Sequence, residues 1–361
     1  MKSSGIGGQA VLEGVMMRHK NDVAVAVRKP DGNIEVGKQK VVNPKDKCKI
    51  FGWPIIRGMA SFLASLVIGI RTLTFSASFW EEEEEKSKET SKAGESAVMF
   101  GTVAFSLVLA VAIFIILPYF LSSLLMKLFN SDSAVLLAVI EGVLKLAIFI
   151  GYMAAISLMK DIKRTFMYHG AEHKCINCIE SGNALTVDNV MKASKEHRRC
   201  GTSFIFIVLF ISIIFFVFIQ MDNRLLRFLL RIVLVPIIAG ISFEFIQWAG
   251  NSDSKLAAVL SRPGMWIQGL STKEPERDMV EVAIASVEAV FDWKGYLKGQ
   301  GIEVPEEPSK EVPEEPKEAQ EEPKEVPEEP PKEILEAPKK EIPEETKETP
   351  EEVPGEAGLD A

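Results

Sequence analysis

Residues 97–125 read AVMFGTVAFSLVLAVAIFIILPYFLSSLL and contain no charged side chain. A helix of about 20 apolar residues is long enough to cross the hydrocarbon core of a bilayer. Charge-free runs of this length are typical of transmembrane helices. The stretch therefore predicts a membrane protein.

Three further apolar stretches follow the first one along the chain. They are residues 134–159, 202–221 and 228–249. We therefore expect a mainly α-helical, polytopic membrane protein, with a domain of about four transmembrane helices over residues 97–249. Four spans put both termini on the same side of the membrane.

The distribution of basic residues predicts which side that is. Loop 160–201 carries eight Lys and Arg residues and the region before residue 97 carries fifteen, whereas the short loops 126–133 and 222–227 carry one and two. Because basic loops are retained in the cytoplasm, we expect both termini and loop 160–201 to be cytoplasmic. The first residues show neither the apolar core nor the cleavage site of a signal peptide.

Residues 53–80 form an apolar segment that is interrupted by two charges. Arg57 and Arg71 leave only thirteen uncharged residues between them. That length favours an interfacial or re-entrant helix over a further span. A fifth span would also place the basic N-terminal region outside. Residues 81–96 then read as a charged linker.

Residues 1–50 are expected to form a small cytoplasmic β element. Alternating residues in DVAVAVRK (22–29) and IEVGKQKVV (34–42) flank the turn sequence PDGN. The glycines of GIGGQAVLEGVMMRH (5–19) indicate either a close approach of the backbone to another element or a tight turn.

The C-terminal part of the chain divides into two regions. Residues 250–300 are expected to form a cytoplasmic helical segment, with an amphipathic helix after Pro275. Residues 301–361 hold 22 acidic residues, 7 lysines and 12 of the 19 prolines. This acidic Pro/Glu/Lys-rich tail is expected to be disordered, because it has too few apolar residues to offset the entropy of ordering.

The stretch YHGAEHKCINC (168–178) concentrates side chains that bind metals. His169 and His173 are four residues apart and share one face of a helix, with Glu172 beside that face. This is the H-x-x-E-H arrangement, in which two imidazoles bind zinc and the glutamate acts as general base. The third ligand is expected to be Glu180 or His197.

The cysteines allow a different zinc site. Cys175 and Cys178, with His173 and either Cys200 or His197, would complete a closed tetrahedral site with no catalytic role. Replacing Cys175 and Cys178 with serine would abolish metal retention in that case and spare it in the catalytic one. A cytoplasmic position favours metal binding or a reactive thiol over a disulfide.

Charged residues within the apolar spans could mark a functional site. Glu141 and Lys145 are four residues apart in the second span, and Glu244 lies in the fourth. Intramembrane charges mark either a solute pathway or a neutralised pair between helices. Glu141 and Lys145 favour the neutralised pair, and Glu244 is near enough to the cytoplasmic end to reach loop 160–201.

Several motifs together resemble the YqhQ-like family of bacterial membrane proteins, over about residues 5–290. They are GGQAVLEGVMMR, YHGAEHK, the glutamate of CIE, LTVDNV, HRRCGTSF, PIIAGISFEF and PGMWIQGLSTKEP. The resemblance implies a multi-pass protein of the inner membrane whose function is unknown and which is described as metal-dependent by prediction. Arg198 departs from the pattern, which has a proline there.

The resemblance also implies which side chains belong to one site. They are His169, Glu172, His173, Glu180, His197 and Cys200. Cys175 and Cys178 fall outside the pattern, which weakens the closed four-ligand site.

The expected function is that of a metal-dependent hydrolase with a divalent metal, zinc, at the cytoplasmic face. Glu172 would be the catalytic base, and the metal ligands would come from His169, His173, Glu180, His197 and Cys200. One alternative is a non-enzymatic membrane factor that binds another protein through its cytoplasmic elements. A second alternative is a small-solute or ion transporter. The expected partners are the lipid bilayer and a protein at the cytoplasmic face, and no nucleic acid is expected.

Overall fold

The computed structural model describes residues 3–43, 46, 49–80, 92–219, 224–252 and 254–303. The predicted disordered tail, apart from residues 301–303, lies outside the described residues. So do residues 81–91 of the predicted linker.

The N-terminal β element is a four-stranded antiparallel sheet in the order β1-β2-β3-β4. Its strands are β1 (Ile6–Val11), β2 (Gly14–His19), β3 (Asp22–Arg28) and β4 (Ile34–Lys40). The two predicted strands are confirmed as β3 and β4. The sequence did not predict β1 and β2, because their glycines obscure the alternation of apolar and polar residues.

Helices make up most of the remaining described chain. They are α1 (Ile56–Ala77), α2 (Lys92–Val111), α3 (Leu117–Leu128), α4 (Ala134–Ile156), α5 (Lys160–Glu180), α6 (Val187–Lys192), α7 (Gly201–Phe218), α8 (Arg224–Asn251), α9 (Lys255–Ser271), α10 (Arg277–Val290) and α11 (Trp293–Gly299). A π-helical turn, Ala112–Ile116, joins α2 to α3. The amphipathic helix predicted after Pro275 is confirmed as α10.

Five helices of the described chain are long and apolar enough to cross a membrane, so the expected count of four was not exact. They are Ile56–Ala77, Ala104–Leu128, Ala134–Ile156, Gly201–Phe218 and Val233–Asn251. The additional one is α1, which continues through Arg71 without a break. Arg57 did not shorten it either, because its guanidinium forms an ion pair with Glu244 of α8.

Helix α1 contacts two different parts of the protein. Its first turn packs on the middle of α8, where an added Cβ at Gly58 would lie 2.8 Å from the Gly240 carbonyl oxygen. Its C-terminal half packs on the sheet, since Ile68 and Phe75 join the same apolar cluster as Val41, which follows β4. The chain therefore leaves the sheet after β4 and returns to it at the end of α1.

The opposite face of the sheet packs into an apolar core that lies outside the membrane-spanning helices. Sheet residues Ile6, Val15, Met17 and Ala26 are buried against α5 and α10. The sheet is thus the middle layer between α1 on one side and α5 and α10 on the other.

A polar link at the first hairpin fixes the sheet to α5. Glu13, in the turn between β1 and β2, has φ +50, a region that favours glycine. In this conformation its carboxylate accepts hydrogen bonds from Arg164 at 2.7 Å and from the Tyr168 hydroxyl at 3.2 Å. The link fixes the helix that carries the H-x-x-E-H motif.

Candidate metal centre

One helix, α5, carries the whole H-x-x-E-H motif. The rings of His169 and His173 lie 4.4 Å apart between centroids, as expected for residues four apart on one face. Two glycines allow backbone to come close to this helix. An added Cβ at Gly170 would lie 2.0 Å from the Lys273 carbonyl oxygen, and one at Gly8 would lie 2.8 Å from Cγ of Glu172. The close approach predicted from the N-terminal glycines is therefore confirmed.

The third candidate ligand comes from the start of α7. Cys200 is the N-cap of that helix, and its Sγ accepts a hydrogen bond from the Thr202 N–H at 3.4 Å. Its Sγ also lies 3.4 Å from Nε2 of His169. Among the described residues, His169, His173 and Cys200 form a group whose ligand atoms all lie within 4.8 Å of one another.

Both histidines are oriented by main-chain carbonyls. Nδ1 of His169 donates to the Ser271 carbonyl at 2.9 Å, and Nδ1 of His173 donates to the Lys195 carbonyl at 2.7 Å. A carbonyl only accepts, so Nδ1 carries the proton in each neutral ring and Nε2 keeps its lone pair. Outer partners of this kind fix the tautomer of histidines that bind metals.

Helix α9 holds the loop that carries Cys200. The fully buried Gln268 accepts a hydrogen bond from the His197 N–H at 2.9 Å and donates to the His197 carbonyl at 2.7 Å. Its amide also donates to Oγ of Ser203 at 2.7 Å. One turn further along, Ser271 supplies the carbonyl that orients His169. Neither role could be predicted from the sequence, because a glutamine and a main-chain carbonyl have no spacing signature.

The electrostatics of the cluster couple its three members. Burial alone would lower the pKa of His169, but the Cys200 thiolate and the Glu172 carboxylate raise it to about 9. Burial would raise the pKa of the Cys200 thiol, but His169 and His173 hold it well below its ordinary value. The site therefore favours a thiolate, which is the form of cysteine that binds metal.

Glu172 lies beside the cluster with little exposure to solvent. Its Oε2 is 3.9 Å from Nε2 of His169, and the residue is 4% exposed. His173 and Cys200 are equally enclosed, whereas the His169 side chain keeps 17% of its surface exposed. Access to the cluster from solvent is therefore on the His169 side.

Glu180 and His197, the two residues expected to supply the third ligand, form a neighbouring cluster. Glu180 accepts hydrogen bonds from Arg199 at 2.6 Å and from the N–H and hydroxyl of Ser4 at 2.7 Å each. Its Oε2 is 3.8 Å from Nε2 of His197, and the His197 ring is 5.6 Å from that of His173. Burial would raise the pKa of Glu180, but His197 and Arg199 hold it well below its ordinary value. The structure thus brings Cys200, rather than Glu180, to His169 and His173.

Cys175 and Cys178 point into the apolar core instead of toward the cluster. Both are fully buried among residues of α5, α10 and the sheet. Burial raises the pKa of the Cys175 thiol and that of Cys178, the latter to about 11. In this surrounding both side chains are small apolar residues, and the geometry does not form the closed four-ligand site.

The intramembrane charges do not extend the site. Glu141 and Lys145 of α4 pair with each other at 2.7 Å, and Lys145 also lies 5.3 Å from the ring centre of Phe216. Among the described residues, Glu244 pairs with Arg57 and not with a residue of loop 160–201.

A polar cavity of about 920 Å³ opens next to the neighbouring cluster. Its lining includes Asn177, Glu180, His197, Arg199, Asn251 and Gln300. His197 lines this cavity, and its ring is 5.6 Å from that of His173. The ring of His197 therefore separates the cavity from the three candidate ligands.

The five apolar helices, with a small sheet and a His/His/Cys cluster at one end, define a polytopic α-helical membrane protein. The chain belongs to the family described as protein of unknown function (DUF1385), whose model matches residues 53–293. It is 37% identical over 292 residues to the uncharacterized protein YqhQ of Bacillus subtilis strain 168, covering 78% of this chain and 90% of that relative. No solved structure matches the chain.

Proposed function

We propose that the protein is a membrane-bound, metal-dependent hydrolase whose metal is zinc. The observation that carries this proposal is the close approach of His169, His173 and Cys200, whose ligand atoms all lie within 4.8 Å of one another. Nδ1 of each histidine donates to a main-chain carbonyl, which leaves Nε2 for the metal. Two neutral imidazoles and one thiolate are ligands that zinc prefers. Three protein ligands leave a fourth position free, as in catalytic zinc sites.

The residues around the cluster have distinct roles in this proposal. Nε2 of His169, Nε2 of His173 and Sγ of Cys200 hold the metal, which would supply a Lewis acid that polarises a carbonyl and lowers the pKa of water. Glu172 accepts the proton from the attacking water and passes it to the leaving group. The exposed edge of His169 marks the side from which a substrate enters.

The membrane arrangement in this proposal has four crossings, with α1 as a re-entrant helix that does not cross. The sheet packs on α5, so both lie on the same side of the membrane. The chain between them must therefore cross the membrane an even number of times. The α2–α3 helix and α4 give two crossings. Helix α1, which begins after β4 and returns to the sheet, adds none. The basic residues of loop 160–201 favour the cytoplasm for this side.

Metal content of the purified protein tests the metal proposal. The wild-type chain, purified without added metal, is expected to contain about one zinc per chain by plasma mass spectrometry. The double substitution His169→Ala/His173→Ala and the single substitution Cys200→Ser are expected to lose it, because each removes ligand atoms of the group.

One histidine and one cysteine outside the group provide matched controls. His19 packs against Phe291 in the sheet region, and Cys178 lies in the core. His19→Ala and Cys178→Ala should keep the zinc. Full zinc retention by the His169/His173 double variant would overturn the proposal.

A second function is favoured by the short distance between Cys200 and His169. A thiolate at a helix N-terminus, 3.4 Å from an imidazole, is also the arrangement of a cysteine nucleophile and its acid–base partner. Sγ would attack an acyl carbon, and protonated His169 would donate its proton to the leaving group. Iodoacetamide distinguishes the two functions, because equimolar zinc should block alkylation of Cys200 only if that thiolate is a metal ligand.

A further inference from the structure

Helix α9 has an exposed apolar face that no described part of the protein covers. Leu256, Val259, Leu260 and Trp266 are 61%, 55%, 44% and 70% exposed. The first three recur at positions i, i+3 and i+4, so they lie on one face of the helix. The face beside it is buried, with Ala257, Ser261, Gly264, Ile267 and Gln268 packed inward.

Both ends of α9 are attached to the start of α7. Before α9, the Ser252 carbonyl accepts a hydrogen bond from Arg198 at 3.4 Å. At its end, the Ser271 hydroxyl donates to Oγ1 of Thr202 at 3.1 Å. Arg198 and Thr202 are four residues apart, which limits the separation of their Cα atoms to about 15 Å.

These attachments determine how α9 lies relative to the spans. A helix of 17 residues is about 25 Å long. Standing parallel to the spans, it would place one end most of the way across the roughly 30 Å hydrocarbon core. Both attachments are at the start of α7, which favours an α9 that lies across the spans rather than along them.

The composition of the exposed surface matches a membrane surface. Lys255 and Arg262 are exposed along one edge of the apolar face, and Trp266 is its most exposed residue. Basic residues beside an apolar face, with a tryptophan at the boundary, are typical of helices in the headgroup region. The neighbouring helix α7 also exposes apolar side chains, since Ile205 and Phe210 are 47% and 54% exposed.

We propose that α9 is an in-plane membrane helix whose exposed apolar face lies in the lipid, at the headgroup boundary on the side of the His/His/Cys cluster. Its buried face carries Gln268, which holds the loop with Cys200, and Ser271, whose carbonyl orients His169. If the cluster is the metal site proposed above, the same helix binds the bilayer and positions the site at the membrane surface.

The depth of α9 is measured with spin labels on single cysteines introduced at Leu256, Val259 and Trp266. The full-length chain, in a Cys48→Ser background, is reconstituted in nanodiscs of phosphatidylcholine and phosphatidylglycerol. The parent chain without an introduced cysteine gives the background signal. Power saturation with oxygen and with a water-soluble nickel chelate then reports the depth of each label.

All three labels are expected to be accessible to oxygen, protected from nickel, and at the same depth within a few ångströms. A matched pair on the spanning α2–α3 helix, Leu107 and Leu117, should differ by about 15 Å, because ten helical residues separate them. Zinc is measured in the same samples, so absence of zinc would leave the depth result standing.

Three results would overturn the in-plane helix. A difference of about 15 Å between Leu256 and Trp266 would mean that α9 crosses the bilayer. High nickel accessibility at all three positions would place the face in water. Low accessibility to both reagents would mean that another protein surface, such as a second copy of this chain, covers it.

Discussion

At the scale of single residues, Sγ of Cys200 completes the group of three candidate ligands, whereas Glu180 lies beside His197 in the neighbouring cluster. The spacing of His169 and His173 could be read directly, because four residues make one helical turn. Cys200 lies 27 residues beyond His173 in the sequence, and only the packing of α7 and α9 on α5 brings its sulfur to the histidines. Cys200 was thus among the candidate ligands, but spacing along the sequence could not show that it lies beside His169 and His173.

Glu180 is predicted to stabilise the fold without binding the metal. Replacing its carboxylate in Glu180→Gln removes the charge that pairs with Arg199. We expect the free energy of unfolding at pH 7 to fall by about 1.5–3 kcal/mol, the usual contribution of a hydrogen bond to a charged group. Thermal unfolding in nanodiscs measures this change, and zinc content should be unchanged. Loss of zinc would instead make Glu180 a ligand.

The pH dependence of this contribution follows from the direction of the shift. The folded-state pKa of Glu180 is held well below its ordinary value. Its stabilisation is therefore complete above the unfolded pKa of about 4.3 and is lost as pH falls toward the folded value. The stability difference between wild type and Glu180→Gln should be constant from pH 7 to about 5 and shrink below pH 4. A difference that grows on acidification would contradict the assignment.

At the scale of elements, the apolar spans were the most predictable part of the fold. Residues 134–159 and 202–221 correspond to α4 and α7, because a long, mostly apolar run predicts both a helix and a position in the membrane. The count of candidate spans failed at α1, where the charge of Arg57 is compensated by a residue nearly two hundred positions away. Helix α9 lies within the helical segment predicted for residues 250–300, but its bounds were not predicted, since Pro263 and Gly264 interrupt its pattern.

Gly170 is predicted to be essential for packing the site helix against the segment after α9. In Gly170→Ala, the new methyl group would meet the Lys273 carbonyl oxygen at 2.0 Å, so backbone must move. We expect a loss of about 3 kcal/mol, at the upper end for overpacking, and reduced zinc content because Ser271 moves with Lys273. Chemical unfolding and metal analysis measure the two effects.

Gly151 of α4 provides the matched control. Nothing lies within 4 Å of an added Cβ at this position, and alanine favours helix by up to about 1 kcal/mol. Gly151→Ala should therefore be as stable as wild type or more so. Equal effects of the two substitutions would show that helix propensity, and not the contact with Lys273, governs both.

At the scale of the whole molecule, the packing of the sheet on α5 requires an even number of crossings between them. Cysteines introduced at Trp53 and Trp80, before and after α1, are therefore expected on the same side as the His/His/Cys cluster. In spheroplasts, both should resist a membrane-impermeant maleimide, whereas a cysteine at Asp132, between α3 and α4, should react. Reaction at only one of the two tryptophan positions would show that α1 crosses the membrane.

The proposed metal site holds one zinc ion between two histidines and one cysteine. X-ray absorption at the zinc edge of the purified protein tests this proposal, because it counts ligands by element. The predicted result is one sulfur at about 2.3 Å and two imidazole nitrogens at about 2.0–2.1 Å, with a lighter atom completing the shell. Cys178→Ala should leave the sulfur contribution unchanged, and any zinc added back to Cys200→Ser should bind without sulfur. A shell with no sulfur, or with two or more sulfurs, would contradict the claim.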